Sequence, residues 1–311
     1  MNQIKTAIIG LGDIARKAYL PILTQNPELD LFIHSRTPER VQQIQKKYHI
    51  PNASCSFDEI LNWQPNVVFI LTPPALHASM AERFLSMGVD VFLEKPATTS
   101  SEETLRLAEV AEQNKRILMV GMNRRFAPIN VQAKKMWEDQ CTSLAYFEKH
   151  RAKPFHPNLF IHVNEEWIHT IDLMRFFCGE ARAIETTYKA DSRYLQNALC
   201  RLELENGGDV FLMGCMSAAG WQERYTLEGG GASLRIEAFE YLDWHSENCH
   251  QVIRQGYDRE WKPSLDARGF VGEIDHFFQC VQTRDMPACS AYDAHKTQLL
   301  VEAIVRKQIK S

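Results

Sequence analysis

The sequence predicts an α/β chain in two units: a doubly wound parallel sheet over residues 1–122 and an α+β unit over residues 123–311. Three observations predict it. Short apolar runs alternate with amphipathic stretches through the first 122 residues, as in successive βαβ units. A glycine-rich turn, Gly10-Leu11-Gly12-Asp13-Ile14-Ala15, follows the first of those runs. After Arg125 the apolar residues fall into period-two alternation, the mark of antiparallel strands with one less-buried face.

In order, the first unit shows strands at Lys5–Ile9, Leu31–His34, Val67–Leu71, Val91–Leu93 and Ile117–Val120. Their nearly unbroken apolar character suits strands covered on both faces. Helices are expected at Glu39–Tyr48, His77–Met87 and Ser101–Asn114, the last opened by Ser100 and Glu103 at capping-box spacing. Pro21 should break or kink the helix that follows the first glycine turn. In the second unit the alternation predicts strands at Leu144–His150, Ala183–Ala190, Ala198–Glu203 and Val210–Cys215. A turn at Glu228-Gly229-Gly230-Gly231 leads to a further strand at Ser233–Glu237. Helices are expected at Glu166–Phe177, Phe270–Thr283 and Ala291–Lys310, and His245–His250 reads as a polar loop after a strand.

The chain has 311 residues, 45% hydrophobic and 24% charged, which suits two ordinary cores better than one. A net charge of −4 gives no broad attraction to nucleic acid or to an anionic membrane. The N-terminal apolar run stops at Gly10 and resembles a strand rather than a signal peptide, and no run is long enough to span a bilayer. Eight cysteines without a C-x-x-C pair suggest reduced, mostly buried thiols, so the expected compartment is cytoplasmic.

The turn at Gly10, Gly12, Asp13, Ile14 and Ala15 has the spacing and context of a dinucleotide fingerprint. The first glycine makes the turn, the second admits a pyrophosphate, and Ala15 lets helix pack on strand. The bland alternative is a plain glycine turn. The second run ends in Ser35, Arg36 and Thr37, where a plain NAD site carries an acid for the ribose 2′-hydroxyl. Two hydroxyls with Arg36, and Arg40 one turn on, favour a 2′-phosphate, so NADP(H) is the expected cofactor and NAD(H) the alternative. Thr72, Pro73 and His77 after the third run, and Glu94-Lys95-Pro96 after the fourth, lie at carboxyl ends of strands, where open α/β sheets bind ligands.

With GLGDIA, TPPALH, GVDVFLEKP, VGMNRRFAP and EEWIHTID in that order, the chain resembles the Gfo/Idh/MocA family of NAD(P)-dependent oxidoreductases over its whole length. Within that family it is most similar to the MviM-like group, through KHR at 149–151, WIHTID and Arg268-Gly269-Phe270-Val271-Gly272. The resemblance implies a Rossmann domain, then a large, mostly antiparallel open sheet, with a homodimer or homotetramer expected from that architecture. It implies a sugar-like, cyclic polyol or ketone substrate. It also implies Lys95 and His169 as active-site residues. The family's Asp four residues before the histidine is Glu165 here, with Glu166 able to replace it in a shifted turn. A small residue two before the histidine is Trp167 here, which either narrows the pocket or is displaced from it.

These residues make chemical sense. Hydride exchange at a carbinol carbon needs a group that moves the hydroxyl proton, and a lysine of lowered pKa or a histidine does this. Glu165 would orient His169, and Asp172 at i+3 would hold a substrate hydroxyl or the ring. The ordinary alternatives are a surface Glu-Lys pair for Lys95 and a satisfied structural pair for His169 with Asp172. Arg124 and Arg125 either bind a substrate anion or pin the domain junction, and Trp167 and Tyr194 are candidates to line a sugar pocket. No metal site is expected, His245–His250 included. Two other functions stay open: a dinucleotide-binding sensor or scaffold without catalysis, and an enzyme that recycles a tightly bound cofactor for net non-redox sugar chemistry.

Overall fold

The computed structural model describes residues 3–152, 156–255 and 264–310. Contacts divide the chain into two compact units. One runs to Met122 and includes Glu273–His295; the other comprises Asn123–Gly272 and the chain from Lys296 onward.

In the first unit the order is β1 (Ile4–Ile9), α1 (Leu20–Leu23), β2 (Leu29–His34), α2 (Pro38–Tyr48), β3 (Asn52–Ser54), α3 (Phe57–Trp63), β4 (Val67–Ile70), α4 (His77–Ser86), β5 (Asp90–Glu94), α5 (Ser101–Gln113) and β6 (Leu118–Gly121). The six strands form one parallel sheet in the order β3-β2-β1-β4-β5-β6, a Rossmann sheet whose direction of winding reverses between β1 and β4. β4 and β5 are buried at every residue, which is why their sequences are continuous rather than alternating. Ser100 caps α5, its hydroxyl accepting from the Glu103 amide.

Pro21 does not end the first helix. The backbone widens to π register over Ala15–Tyr19 and then continues as α1 with Pro21 in its first turn. Proline has no N–H to donate, and the wider turn accommodates it where a regular helix would clash.

The second unit holds α6 (Pro128–Trp137), β7 (Leu144–His150), α7 (Leu159–His162), α8 (Ile168–Cys178), β8 (Ala181–Ala190), β9 (Leu195–Leu204), β10 (Asp209–Cys215), β11 (Gln222–Gly229), β12 (Ala232–Glu237), β13 (Tyr241–Ser246), β14 (Cys249–Arg254) and α9 (Ser264–Ala267). With β15 (Gln308–Lys310) these strands form a nine-stranded sheet, β14-β13-β12-β11-β7-β10-β9-β8-β15. It is antiparallel except where β7 meets β10 and β8 meets β15. β7 and β10 alternate strictly between buried and half-buried residues, so one face carries the core and the other stays open.

Three expectations need correction. His245–His250 is a hairpin, β13 to β14, not a loop. The last helices are α10 (Phe270–Thr283) and α11 (Ala291–Arg306), and α11 stops before Lys307. There the chain turns into β15, because the exposed edge of β8 offers it a ladder beginning at Gln308 and Thr186. Finally, Glu273–His295 belongs with the first unit rather than with 123–311. Phe277 packs edge-on against Phe69 and Phe92, and Phe278 lies tilted against Phe69, so α10 closes the core of the parallel sheet.

The eight cysteines are free, as expected, but only Cys200, Cys280 and Cys289 are buried. Among the described residues no helix is long and apolar enough to cross a membrane.

Candidate active site

The glycine turn leaves β1 at its carboxyl end. Gly10 has φ +95°, and a Cβ there would stand 2.6 Å from the Leu71 carbonyl oxygen, so the turn admits only glycine. A Cβ on Gly12 would meet nothing within 4 Å. The first glycine therefore serves the fold, and the second faces open space of the kind a pyrophosphate approaching the backbone requires. Ala15 is fully buried where the helix packs, and Ile14 is half-buried. Asp13 is exposed and bonded to Arg16 and, at 3.0 Å, to Lys17; these hydrogen bonds hold its carboxyl below the usual range. Arg16 and Lys17 thus put two cations beside the turn, a feature the glycine spacing alone did not single out.

Beyond β2, Ser35 is half-buried, while Arg36, Thr37 and Arg40 are exposed. Thr37 occupies the cap position of α2, and the Ser35 hydroxyl accepts from its amide at 3.4 Å. Among the described residues no carboxylate pairs with Arg36 or Arg40. Two unopposed cations therefore lie where an acid would accept a ribose hydroxyl.

Beyond β4, Thr72 is half-buried and Pro73 exposed. His77 differs from its expected role as a direct cofactor contact. Its ring is fully buried, with Nε2 2.8 Å from the Thr72 carbonyl and Nδ1 3.1 Å from those of Pro96 and Ala97. Burial pushes its pKa down against the opposing pull of these carbonyls. His77 braces the loop after β4 against the loop after β5 and so acts on a ligand only through them.

Glu94 ends β5 and is also buried. Its Oε1 accepts from the Tyr19 hydroxyl at 2.8 Å, and its Oε2 from the Lys95 amide at 2.8 Å. Tyr19 lies 3.1 Å from Glu273 as well. Burial, then Glu273 and Glu94, raise the Tyr19 phenol well above its ordinary pKa, so it is a fixed neutral donor. Neither Tyr19 nor Glu273 was visible as a site residue in sequence, since 254 positions separate them. Lys95 is half-buried in the turn that follows, with a cis peptide to Pro96.

In the second unit, Val163–Trp167 forms a π turn that leads into α8. Glu165 is exposed on that turn, and His169 is buried one turn later. Glu166 is not available to replace Glu165. Its carboxylate accepts from Arg151 at 2.6 Å, and its carbonyl accepts from the Lys149 ammonium at 2.5 Å.

Asp172, Arg124, Arg125 and Trp167 need correction as groups that touch substrate. Arg125 clamps Asp172 in a bidentate pair at 2.7 and 2.5 Å, both side chains buried. Thr297 adds a bond to Asp172 at 3.3 Å and accepts from Arg175 at 2.6 Å. Arg124 clamps Glu223 in the same way, at 2.7 and 2.6 Å. Trp167 is buried beneath β10, where Gly214 leaves room for the indole: a Cβ at 214 would stand 2.8 Å from the ring. Tyr194 is exposed.

Sequence reading also missed a buried charge cluster. Lys149 on β7 and Glu223 on β11 point into the core face and approach to 3.3 Å, and the Tyr225 hydroxyl donates to Glu223 at 2.8 Å. Burial works to raise the Glu223 carboxyl, but Arg124 and Lys149 outweigh it and hold it well below the usual range. Burial pushes Lys149 down to about 8, Glu223 pulling the other way.

The first unit is thus a Rossmann dinucleotide-binding domain, with phosphate turn, ribose end and lysine turn all at the carboxyl edge of one parallel sheet. Residues 4–122 match the sequence model of the Gfo/Idh/MocA oxidoreductase family, an oxidoreductase family with an NAD-binding Rossmann fold. Along 99% of both chains, the protein is 28% identical to the putative oxidoreductase YceM of Salmonella typhimurium. It is 26% identical to scyllo-inositol 2-dehydrogenase (NAD(+)) of Bacillus subtilis, over 94% of this chain and 90% of that one. The fold is shared with the dehydrogenase MviM from Clostridium difficile, at a TM-score of 0.87 and 23% identity, covering 97% of this chain and 99% of that chain. Over residues 4–122 the protein is thus similar to the Gfo/Idh/MocA oxidoreductases, and along its whole length to the putative oxidoreductase YceM.

Proposed function

We propose that the protein is an NADP(H)-preferring dehydrogenase or reductase acting on a CH–OH or carbonyl carbon of a sugar-like or cyclic polyol substrate. The observation that carries this reading is the shared carboxyl edge of the parallel sheet. The turn after β1, with open space before Gly12, the cations after β2 and Lys95 after β5 all lie along it. The bound nicotinamide supplies the hydride acceptor or donor. Lys95 takes the hydroxyl proton as an alcohol becomes a ketone and returns it in the reverse direction. His169 shares or relays that proton, and Glu165 orients it. Arg36, with Arg40, binds the 2′-phosphate, and Ser35 and Thr37 supply hydroxyl donors. Inositol chemistry, as named for the Bacillus subtilis relative, sets the substrate class to try first.

Self-association belongs to the same proposal. The open face of the nine-stranded sheet carries Tyr146 stacked on Phe211 at 5.8 Å, with Leu199, Val252 and Ile309 exposed. A homodimer or homotetramer would cover this face.

The test measures NADPH and NADH binding by fluorescence, and turnover on a panel of inositols, aldoses and their ketones. NADP(H) should bind several-fold tighter than NAD(H), Arg36→Ala should erase most of that difference, and Lys95→Ala should abolish turnover while keeping cofactor binding. Equal affinities for the two cofactors sink the NADP preference. NADPH binding without turnover on any substrate, unchanged in Lys95→Ala, would favour a silent sensor instead.

A further inference from the structure

The hairpin β13–β14 brings together three metal-ligating side chains that the oxidoreductase reading does not use. His245 and His250 are directly opposed across the two strands, so their rings leave the same face of the sheet. Asp243, two residues before His245, shares that face. His250 Nε2 lies 3.0 Å from Asp243 Oδ1, and His245 Nε2 lies 3.2 Å from the same oxygen. The three donor atoms all fall within 4.8 Å of one another, and the two imidazoles, stacked with centroids 3.8 Å apart, must splay for both Nε2 atoms to reach one ion.

From this geometry we infer that Asp243, His245 and His250 form a binding site for a divalent transition metal such as Zn(II), Co(II) or Ni(II). A tetrahedral ion with bonds of about 2.0–2.1 Å sets its ligand atoms about 3.3 Å apart. The two separations from Asp243 Oδ1 are already close to that value. Two imidazoles with one carboxylate favour the later first-row metals over Mg(II) or Ca(II), which take oxygen sets. The fourth position opens onto the outer face of the sheet, both histidine side chains being about half exposed in the single chain.

The surroundings support a cation. The Tyr241 hydroxyl donates to Asp243 Oδ2 at 3.0 Å, which fixes the carboxylate and leaves Oδ1 for the metal, as outer partners do in metal sites. Arg235, opposite Asp243 on β12, is paired with Glu237 at 2.8 Å. Arg254 lies over the Tyr241 ring. Val252, the third residue facing Asp243, is uncharged.

The site also has a structural use. β14 is the edge strand of the sheet, and five of its six residues are exposed, so little apolar burial holds it in place. A metal bound by Asp243 and His245 on one strand and His250 on the next cross-links that edge.

The test is calorimetric titration of the untagged, full-length chain with Zn(II), in a Cys249→Ser background so that the exposed thiol on the same strand is removed. One Zn(II) per chain is expected, with Co(II) giving the intense visible absorption of a tetrahedral complex. His245→Ala and His250→Ala should each weaken binding at least about tenfold, and Tyr241→Phe by about tenfold, as loss of an outer partner does. Hydrogen exchange of the β14 amides should slow on Zn(II) addition in the parent chain and not in the double histidine variant. Unchanged stoichiometry and affinity in that double variant, with its fold intact by circular dichroism, would overturn the site, as would a parent chain that binds no Zn(II).

Discussion

Replacing Lys149 with methionine isolates the energetics of the buried charge cluster. The lysine is almost fully buried, and it shares the Glu223 and Glu166 carboxylates with Arg124 and Arg151, three cations against two anions. Burial, reinforced by those neighbouring cations, sets its pKa at about 8 against an ordinary 10.5. The unfolded chain holds this proton up to pH 10.5, whereas the folded chain releases it near pH 8. Between the two values the unfolded state binds more protons, so stability rises with pH. The gap of 2.5 units, at about 1.36 kcal/mol each, predicts a gain of about 3 kcal/mol across the window.

Urea melts followed by tryptophan fluorescence from pH 7 to 10.5 measure this in wild type and Lys149→Met. Burial also raises the Cys178 and Cys200 thiols to about 12, so they remove stability as pH climbs past their unfolded values near 9. Both proteins carry those thiols, and subtracting one profile from the other cancels them. At pH 7 the variant should be less stable by about 1–3 kcal/mol, because the Glu166 carbonyl and Glu223 lose a donor. That deficit should widen by about 3 kcal/mol by pH 10.5. A flat difference would refute the reasoning, and a shrinking one would mean that the two carboxylates hold the lysine charged despite its burial.

Two further substitutions test the corrected assignments in the second unit. Arg125→Ala should cost about 3–5 kcal/mol in urea melts by leaving the Asp172 charge buried without its clamp. Arg125→Ala with Asp172→Ala should recover part of that loss, and full additivity would show that the two residues do not act as a pair. Gly214→Ala should cost about 1–3 kcal/mol by driving a methyl into the Trp167 indole. Combining it with Trp167→Leu should relieve that strain, and NADPH binding should be unchanged throughout.

The parallel sheet was legible because strands buried on both faces write continuous apolar runs, as Val67–Ile70 and Asp90–Glu94 do. β3 was not, since its three residues are only half-buried and carry no apolar signal. β14 left none either: its exposure erases the alternation that would have separated a hairpin from a polar loop. The glycine turn and the strand ends were readable because spacing along the chain encodes them. Partners were not. Helical spacing placed Asp172 on the face with His169, but nothing local announces an arginine 47 residues earlier, or that Arg124 pairs with a glutamate 99 residues on. An acid on a helix looks the same in sequence whether it meets substrate or a guanidinium.

That ambiguity also narrows the candidate chemistry. The carboxylates with the clearest electrostatic partners, Asp172, Glu223 and Glu166, are paired with arginines or a lysine inside the second unit. Glu94 is held by Tyr19 and the Lys95 amide. A group fixed by such bonds has its proton affinity set by its partner and suits positioning rather than proton exchange. Lys95 lies one residue beyond Glu94, and His169 one turn beyond Glu165, each at the end of an element anchored by those pairs. The stretch that carries His169 also follows a π turn, Val163–Trp167, and a second π turn, Ala15–Tyr19, comes directly after the glycine turn. Such insertions shift the aim of every later side chain in the helix and are retained where that aim matters. Under the proposed function, substitutions in the paired charges or in the Val163–Trp167 turn should therefore change how Lys95 and His169 are placed, and turnover with them, while leaving both side chains present.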